Sequence, residues 1–363
     1  MHARWLVLSL LLFLASASSV DTAYMHSPTW SYRTEGGVSS VKYDNGKVLI
    51  ASGDYTLYAV NLAGSLEWRF PMGDEITSIC PLSRNITVAS MDGLIYMISE
   101  KGNTLWSREL PSYVGYDKAV SAGRGILSVG TADGMVYVLD NGGDLIGRYN
   151  TGEYVLATEV LDEGIIAISD RQIFLLMDNG SLVKTFELDR YIRTAATTDK
   201  YVAVGFTDGT IVLYDTTGML LWTYDTKDQV GTISLSDEHV SAGTKGKKLL
   251  MFDVNGTLMW AQNMTDSVAA TDVSEPYLAV STLDNNVYLY NTDGMLKWGY
   301  STNGRALNLV IDGGYLLSGT NTGLTYLSEI PSKSEMEVVF VSLTVAVIVL
   351  LGLLLLVRSI LKT

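Results

Sequence analysis

Cysteine is almost absent from this 363-residue chain, and the one present, Cys80, has no partner for an intramolecular disulfide. That excludes a disulfide-stapled framework, a cysteine-rich zinc site and a CxxCH haem attachment. Histidine is nearly as scarce, with only His2, His26 and His239, and His239 opens the strand-like run HVSAGT, where a structural role is expected. Basic residues are few: 25 Lys and Arg stand against 39 Asp and Glu, a net charge of −14. Phosphate backbones would be repelled, so nucleic acid is excluded as a partner. Neither a phosphate-cradling glycine loop nor a GxSxG nucleophile motif occurs. Between residues 30 and 330 no stretch repeats its apolar residues at the helical period, which leaves an all-β chain.

What the chain does have is a period. Trp30, Trp68 and Trp106 stand 38 residues apart, and so do Trp222, Trp260 and Trp298. An aromatic or branched residue precedes each slot by ten, at Tyr58, Tyr96, Tyr137, Phe174, Val212, Leu250 and Tyr288, with Tyr326 in the last unit. A glycine precedes it by four, at Gly64, Gly102, Gly143, Gly180, Gly218, Gly256 and Gly294. Two units lose the Trp and carry Gly147 and Lys184 on the register, with an insertion between Trp106 and Tyr137 and one residue missing near Asp170–Gln172. A period in this range marks a solenoid, propeller or array.

Inside a unit the apolar period is two. Residues 201–214, YVAVGFTDGTIVLY, place Asp208-Gly209 between two runs rich in Val, Ile and Tyr. The dipeptide, repeated at Asp92-Gly93 and Asp133-Gly134, predicts a tight primed hairpin turn. With the Trp strand beyond the repeated glycine and a short preceding run such as 192–198, each unit supplies four strands, a propeller blade. Seven units end at a Trp-slot residue and an eighth lacks its fourth strand. Residues 29–37, TWSYRTEGG, carry a Trp strand without three preceding ones, and are expected to complete the eighth blade. An eight-bladed β-propeller of four-stranded antiparallel blades follows, with seven blades as the alternative. Closure removes open sheet edges. The aromatic ladders are read as scaffold, each ring filling the wedge between blades for roughly 1.5–3 kcal/mol.

The units at 202–226 and 277–304, with their DG-x-apolar-Tyr strand, Asp-rich glycine turn and Leu-x-Trp, resemble the PQQ-like β-propeller repeat across about residues 29–330. That family includes quinoprotein alcohol dehydrogenases, a bacterial outer-membrane assembly lipoprotein, lumenal sensor domains of stress kinases, and membrane-anchored surface propellers of methanogenic archaea, which look most similar. The resemblance implies the fold and says little about function. Quinoproteins of this family set the quinone beside an adjacent cysteine pair, which a chain with one cysteine cannot provide, so no cofactor is expected.

The ends read as targeting segments. Arg4, the apolar run Trp5–Leu14 and Ala15-Ser16-Ala17 describe a signal peptide over 1–17, followed by a linker over 18–28. After the propeller (29–330) and a juxtamembrane linker (331–337), residues 338–357 are uncharged and long enough for a transmembrane helix. Arg358 and Lys362 follow it, while Glu335 and Glu337 precede it, so the tail 358–363 is expected in the cytoplasm and the propeller outside. Sequons at Asn85, Asn179, Asn255 and Asn263 are glycosylation candidates.

With the strands committed to scaffold, function is expected in loops. The connections between successive blades carry Glu35, Asp74, Glu75, Glu153, Asp189, Asp228 and Asp266, a candidate acidic rim for a hard cation or a basic partner surface, with a solvated acidic face as the plain alternative. No unit has D-x-D-x-D spacing. The expectation is a non-catalytic, single-pass, cell-membrane scaffold binding a protein or glycan at a rim, in envelope or surface organisation or assembly. A quinone- or metal-dependent oxidoreductase and a sensor relaying through a membrane partner are the alternatives.

Overall fold

The computed structural model describes residues 26–330 apart from 83, 116 and 117. The signal peptide, most of the 18–28 linker, the juxtamembrane linker, the transmembrane span and the tail therefore lie outside the described residues. Among those described, every regular element is a strand, and no helix is long and apolar enough to cross a membrane.

Eight four-stranded antiparallel sheets form the ring. Blades 1 to 7 span residues 38–71, 76–109, 120–150, 155–187, 192–225, 230–263 and 268–301. Blade 8 takes three strands from 306–329 and its outer strand from Trp30–Arg33, paired as Trp30 with Leu327 and Arg33 with Leu324. The seven-blade alternative is excluded, and the chain's beginning zips onto its end. Eight apolar clusters, one at each blade junction, make up the core; that between blades 8 and 1 joins Leu317 and Leu327 to Val38, Ile50 and Val60. The insertion after Trp106 is used in this way too: Leu110, Val114 and Ala119 are buried between blades 2 and 3.

The tryptophans stitch each blade to the next. Indole N–H groups of Trp30, Trp68, Trp106, Trp222 and Trp260 donate to the carbonyls of Leu62, Glu100, Asn141, Val254 and Thr292 at 2.8–3.1 Å. Each ring lies on the glycine of the same turn in the following blade. A Cβ on Gly102 would stand 2.8 Å from the Trp68 ring, and one on Gly256 would stand 2.7 Å from Trp222. The glycine four residues before a Trp therefore serves the preceding blade's Trp. Where the Trp is lost, other contacts stand in. At Gly147 a Cβ would collide with the Asn179 carbonyl, so blades 3 and 4 meet through backbone. In blade 4 the Phe186 ring takes the place on Gly218, and Lys184 Nζ donates to Thr217 O at 3.2 Å.

Trp298 is a special case because its following blade has no covalent turn to receive it. It is 7% exposed, its N–H has no partner, and His26 stacks on it with ring centroids 4.3 Å apart. The His26 backbone N–H donates to Gly299 O at 2.9 Å, while its ring Nε2 is buried without a partner. Burial lowers the pKa of this imidazole.

One local expectation fails. The Asp-Gly hairpins are not two-residue primed turns. Around Asp208-Gly209 three residues separate the strands, Gly209 N–H bonds back to Phe206 O, and Gly209 has positive φ (96°) while Asp208 does not. This is a type I turn closed by a left-handed residue, the three-residue hairpin. The same left-handed slot holds Tyr55, Lys247 and Asn285 in other blades.

Gly46 and Gly102 share nearly the same φ (81° and 79°), but a Cβ on Gly46 meets nothing within 4 Å. Gly46→Ala is expected to destabilise the chain by about 1 kcal/mol through φ alone, and Gly102→Ala by about 2–3 kcal/mol because the Trp68 ring must move. Denaturant titration of both variants measures the difference, and equal losses would refute the stitch.

Candidate functional site

All seven carboxylates of the candidate rim stand on one end of the ring, in the loops joining an outer strand to the next inner strand. They are largely engaged with their own turns. Asp74 accepts from Glu75 N at 2.8 Å, Asp228 from Gln229 N at 2.8 Å and also from Gly246 N, and Asp266 from Ser267 N at 2.8 Å. Asp266 also pairs with Lys247 at 3.4 Å, and Glu153 accepts from Ser169 Oγ at 3.1 Å. Glu35 offers its backbone N–H to Asp54 at 3.1 Å. Arg190, next to Asp189, pairs with Asp208 at 3.3 Å.

The structure brings no three of these seven together as metal ligands. Among the described residues, the one such grouping is Glu238, His239 and Glu275, at the opposite end of the ring. His239 Nδ1 lies 2.7 Å from Glu275 Oε1, which also accepts from Ser236 Oγ at 2.7 Å, a satisfied structural triad between two blades. Of the sequon residues, Asn179, Asn255 and Asn263 are exposed and Asn85 is half-buried.

Acidic residues elsewhere have local work. Asp215 accepts from Thr217 N (2.9 Å) and Met219 N (2.8 Å), and Asp253 from Asn255 N (3.0 Å) and Thr257 N (2.7 Å). Desolvation opposes ionisation at both, but these hydrogen bonds prevail and hold both pKa values below the ordinary carboxylate range. Much of the chain's negative charge is therefore turn chemistry.

A second set of residues went unnoticed in the sequence. The inner strands place one equivalent residue per blade around the central channel: Lys42, Cys80, Ser121, Glu159, Ala196, Ser234, Asp272 and Val310. Each is opposite the residue seven further on, as in Lys42 with Leu49 and Asp272 with Ala279. The signal existed, since most of these positions are also 38 apart. It was hidden because the residue type changes from blade to blade, half of the layer being the small Cys80, Ser121, Ala196 and Ser234. The channel cavity is about 610 Å³, and Lys118 and Asp312 line it together with Lys42, Glu159 and Asp272.

Charge in this enclosed layer is perturbed. Burial pushes Asp272 up to about 6, offset in part by the Ile311 N–H, 2.6 Å from Oδ2. Burial also raises Glu159, against the Ser121 hydroxyl at 3.1 Å and nearby Lys118. The Cys80 thiol is pushed to about 11 by burial and then by Glu159, so it stays protonated at neutral pH and is no nucleophile.

Comparison with known proteins agrees with this architecture. Residues 207–327 match the family described as outer membrane protein assembly factor BamB. Over those residues the chain is similar to PQQ-like β-propeller repeats, and the whole ring is an eight-bladed β-propeller. Similar solved structures include the computationally designed Ika8 protein, with a TM-score of 0.75 at 18% identity over 85% of this chain and 99% of that one. BamB from Moraxella catarrhalis gives 0.70 at 18% identity, covering 84% and 99%. Saccharomyces cerevisiae Sqt1 gives 0.71 at 15%, covering 83% and 98%. These identities establish the fold alone, and no curated protein matches the chain. Since the three are a designed, a bacterial and a yeast protein, the likeness to archaeal surface propellers rests on sequence features only.

Asp272 yields a pH test. Its folded pKa lies above the unfolded value, so the group favours the fold fully only below about pH 4. That contribution fades as pH rises through 6. Asp272→Asn keeps an acceptor for Ile311 N–H and removes the titration. Between pH 4 and 7 the wild type should lose roughly 1–2 kcal/mol relative to the variant, read by denaturant melts at each pH. Parallel profiles would show that Asp272 is not held in this way.

Proposed function

We propose that this chain is a non-catalytic scaffold that binds a protein or glycan partner across the acidic end of its ring. In this reading residues 1–17 direct export, residues 338–357 anchor the chain, and the propeller stands outside the cytoplasm, serving envelope or surface assembly. The observation that carries the reading is the commitment of every strand to ring closure and blade stitching, which leaves six loops with seven carboxylates together on one end. Likeness to a bacterial BamB supports an assembly role by analogy of fold.

The acidic end is tested with Glu35→Lys and Asp189→Lys combined, two side chains whose removal breaks no hydrogen bond described above. Full-length wild type and variant are captured from native membranes in parallel. Loss of the co-captured partner with an unchanged melting temperature is expected, and equal capture would overturn the assignment of this rim. A quinone absorption band or stoichiometric metal in the native protein would overturn the non-catalytic part.

A further inference from the structure

Five junctions show what fits between two blades of this ring: an indole lying on a turn glycine, its N–H on the carbonyl of the turn's second residue. The junction of blades 4 and 5 has the same turn, with Thr216 at the acceptor position and Gly218 as the platform, but Lys184 stands opposite Leu175 where the Trp should be. Phe186 covers Gly218 and the Lys184 ammonium lies 4.4 Å from the Phe186 ring centre. Intact blades carry a Trp and a second aromatic two residues on, as Trp68 with Phe70 and Trp222 with Tyr224, whereas this junction has only Lys184 and Phe186, which fill less space than such a pair. A cavity of about 540 Å³ is left, with an apolar floor of Leu161, Ile165, Ile166, Leu175 and Leu176. That size and apolar lining suit a small aromatic group.

The mouth of the cavity is dressed for a protein. Val183, in its lining, is 57% exposed, and Met177 and Met219, one and two residues beyond the lining residues Leu176 and Thr217, are 54% and 58% exposed. Such a cluster is an apolar surface without a covering element. Asp162, Glu163 and Asp199 line the opening. Two lysines line it as well, both engaged: Lys200 pairs with Asp237 at 2.5 Å and Lys184 donates to Thr217 O, so the three carboxylates outnumber them. An occupant should therefore carry a flat aromatic ring with an N–H donor, flanked by positive charge.

We propose that the junction of blades 4 and 5 receives a tryptophan side chain from a basic segment of a partner protein, which supplies in trans the indole that blade 4 lacks. The proposal rests on the scaffold reading for its expectation of a protein partner, but it uses the end of the ring opposite to Glu35 and Asp189. The two therefore fail separately.

The probe is L-tryptophanamide, a cationic indole, with anionic N-acetyltryptophan as its control, each titrated into the full-length protein in nanodiscs and followed by saturation-transfer NMR. Tryptophanamide is expected to bind with a dissociation constant on the order of 1 mM, as suits so small a ligand. The N-acetyl compound should bind at least several-fold more weakly. Lys184→Trp fills the cavity from within, so it should weaken tryptophanamide binding by about tenfold or more and raise the melting temperature. Undiminished binding to Lys184→Trp, or no binding to the wild type, overturns the proposal. Should Lys184→Trp fail to fold, a diazirine-bearing tryptophanamide on the wild type decides: labelling within 161–166 and 175–176 supports the site, and labelling confined elsewhere overturns it.

Discussion

A propeller blade cannot bury either face by itself, so each depends on its neighbours, and the ring depends on the last junction closing. Here closure is a four-residue pairing of Trp30–Arg33 with Leu324–Leu327. Across that same junction Trp30 reaches Leu62 of blade 1. One short strand therefore satisfies two demands at once: it covers the open edge of blade 8 and stitches blade 8 to blade 1. The individual stitch is modest, a hydrogen bond worth about 1 kcal/mol net plus the packing of a half-buried ring. Its importance comes from repetition around a closed path, where a gap at any point would expose the apolar faces on both sides of it.

That economy explains how the chain uses its charge and its glycines. A turn that must receive a neighbour's indole has no room for a Cβ at its third or fourth position, hence the glycine. A tight turn also leaves backbone N–H groups unpaired, hence the aspartate or asparagine two residues before, as at Asp140, Asp215 and Asp253. A protein with eight such blades becomes acidic without having evolved for a cationic ligand. The rim carboxylates, several held by their own loop N–H groups, are shaped by the same logic.

How far the sequence could be read follows from this. The period, the four strands, the eighth blade and its borrowed strand were legible because the Trp and Gly recur wherever a stitch is made, and a stitch is needed at nearly every junction. The hairpin geometry was not, because Asp-Gly is compatible with both a primed turn and a three-residue turn. Tyr55, Lys247 and Asn285 in the same left-handed slot would have pointed to the latter. The channel layer escaped for a different reason. Lys42, Glu159 and Asp272 share a register with Ala196, Ser234 and Val310, so the spacing recurs but the residue type does not, and the spacing alone draws no attention. Its chemistry emerges only when the ring brings distant strands around one axis.

The two junctions without tryptophan show why degeneracy in a repeat is informative. After blade 3 the loss is compensated by shape: Gly147 lets the backbone of one blade meet the Asn179 carbonyl of the next, beside an open cavity of about 420 Å³ lined by Arg124, Glu163 and Asp178. After blade 4 the compensation is chemical but incomplete. Lys184 finds a carbonyl and Phe186 finds the platform, yet a cavity of about 540 Å³ remains over an apolar floor. Void space lined by Leu and Ile forfeits dispersion contacts and costs stability unless something occupies it. The two Trp-less junctions are thus repaired by different means, backbone contact at one and a Phe–Lys pair at the other, and each leaves a cavity beside the repair.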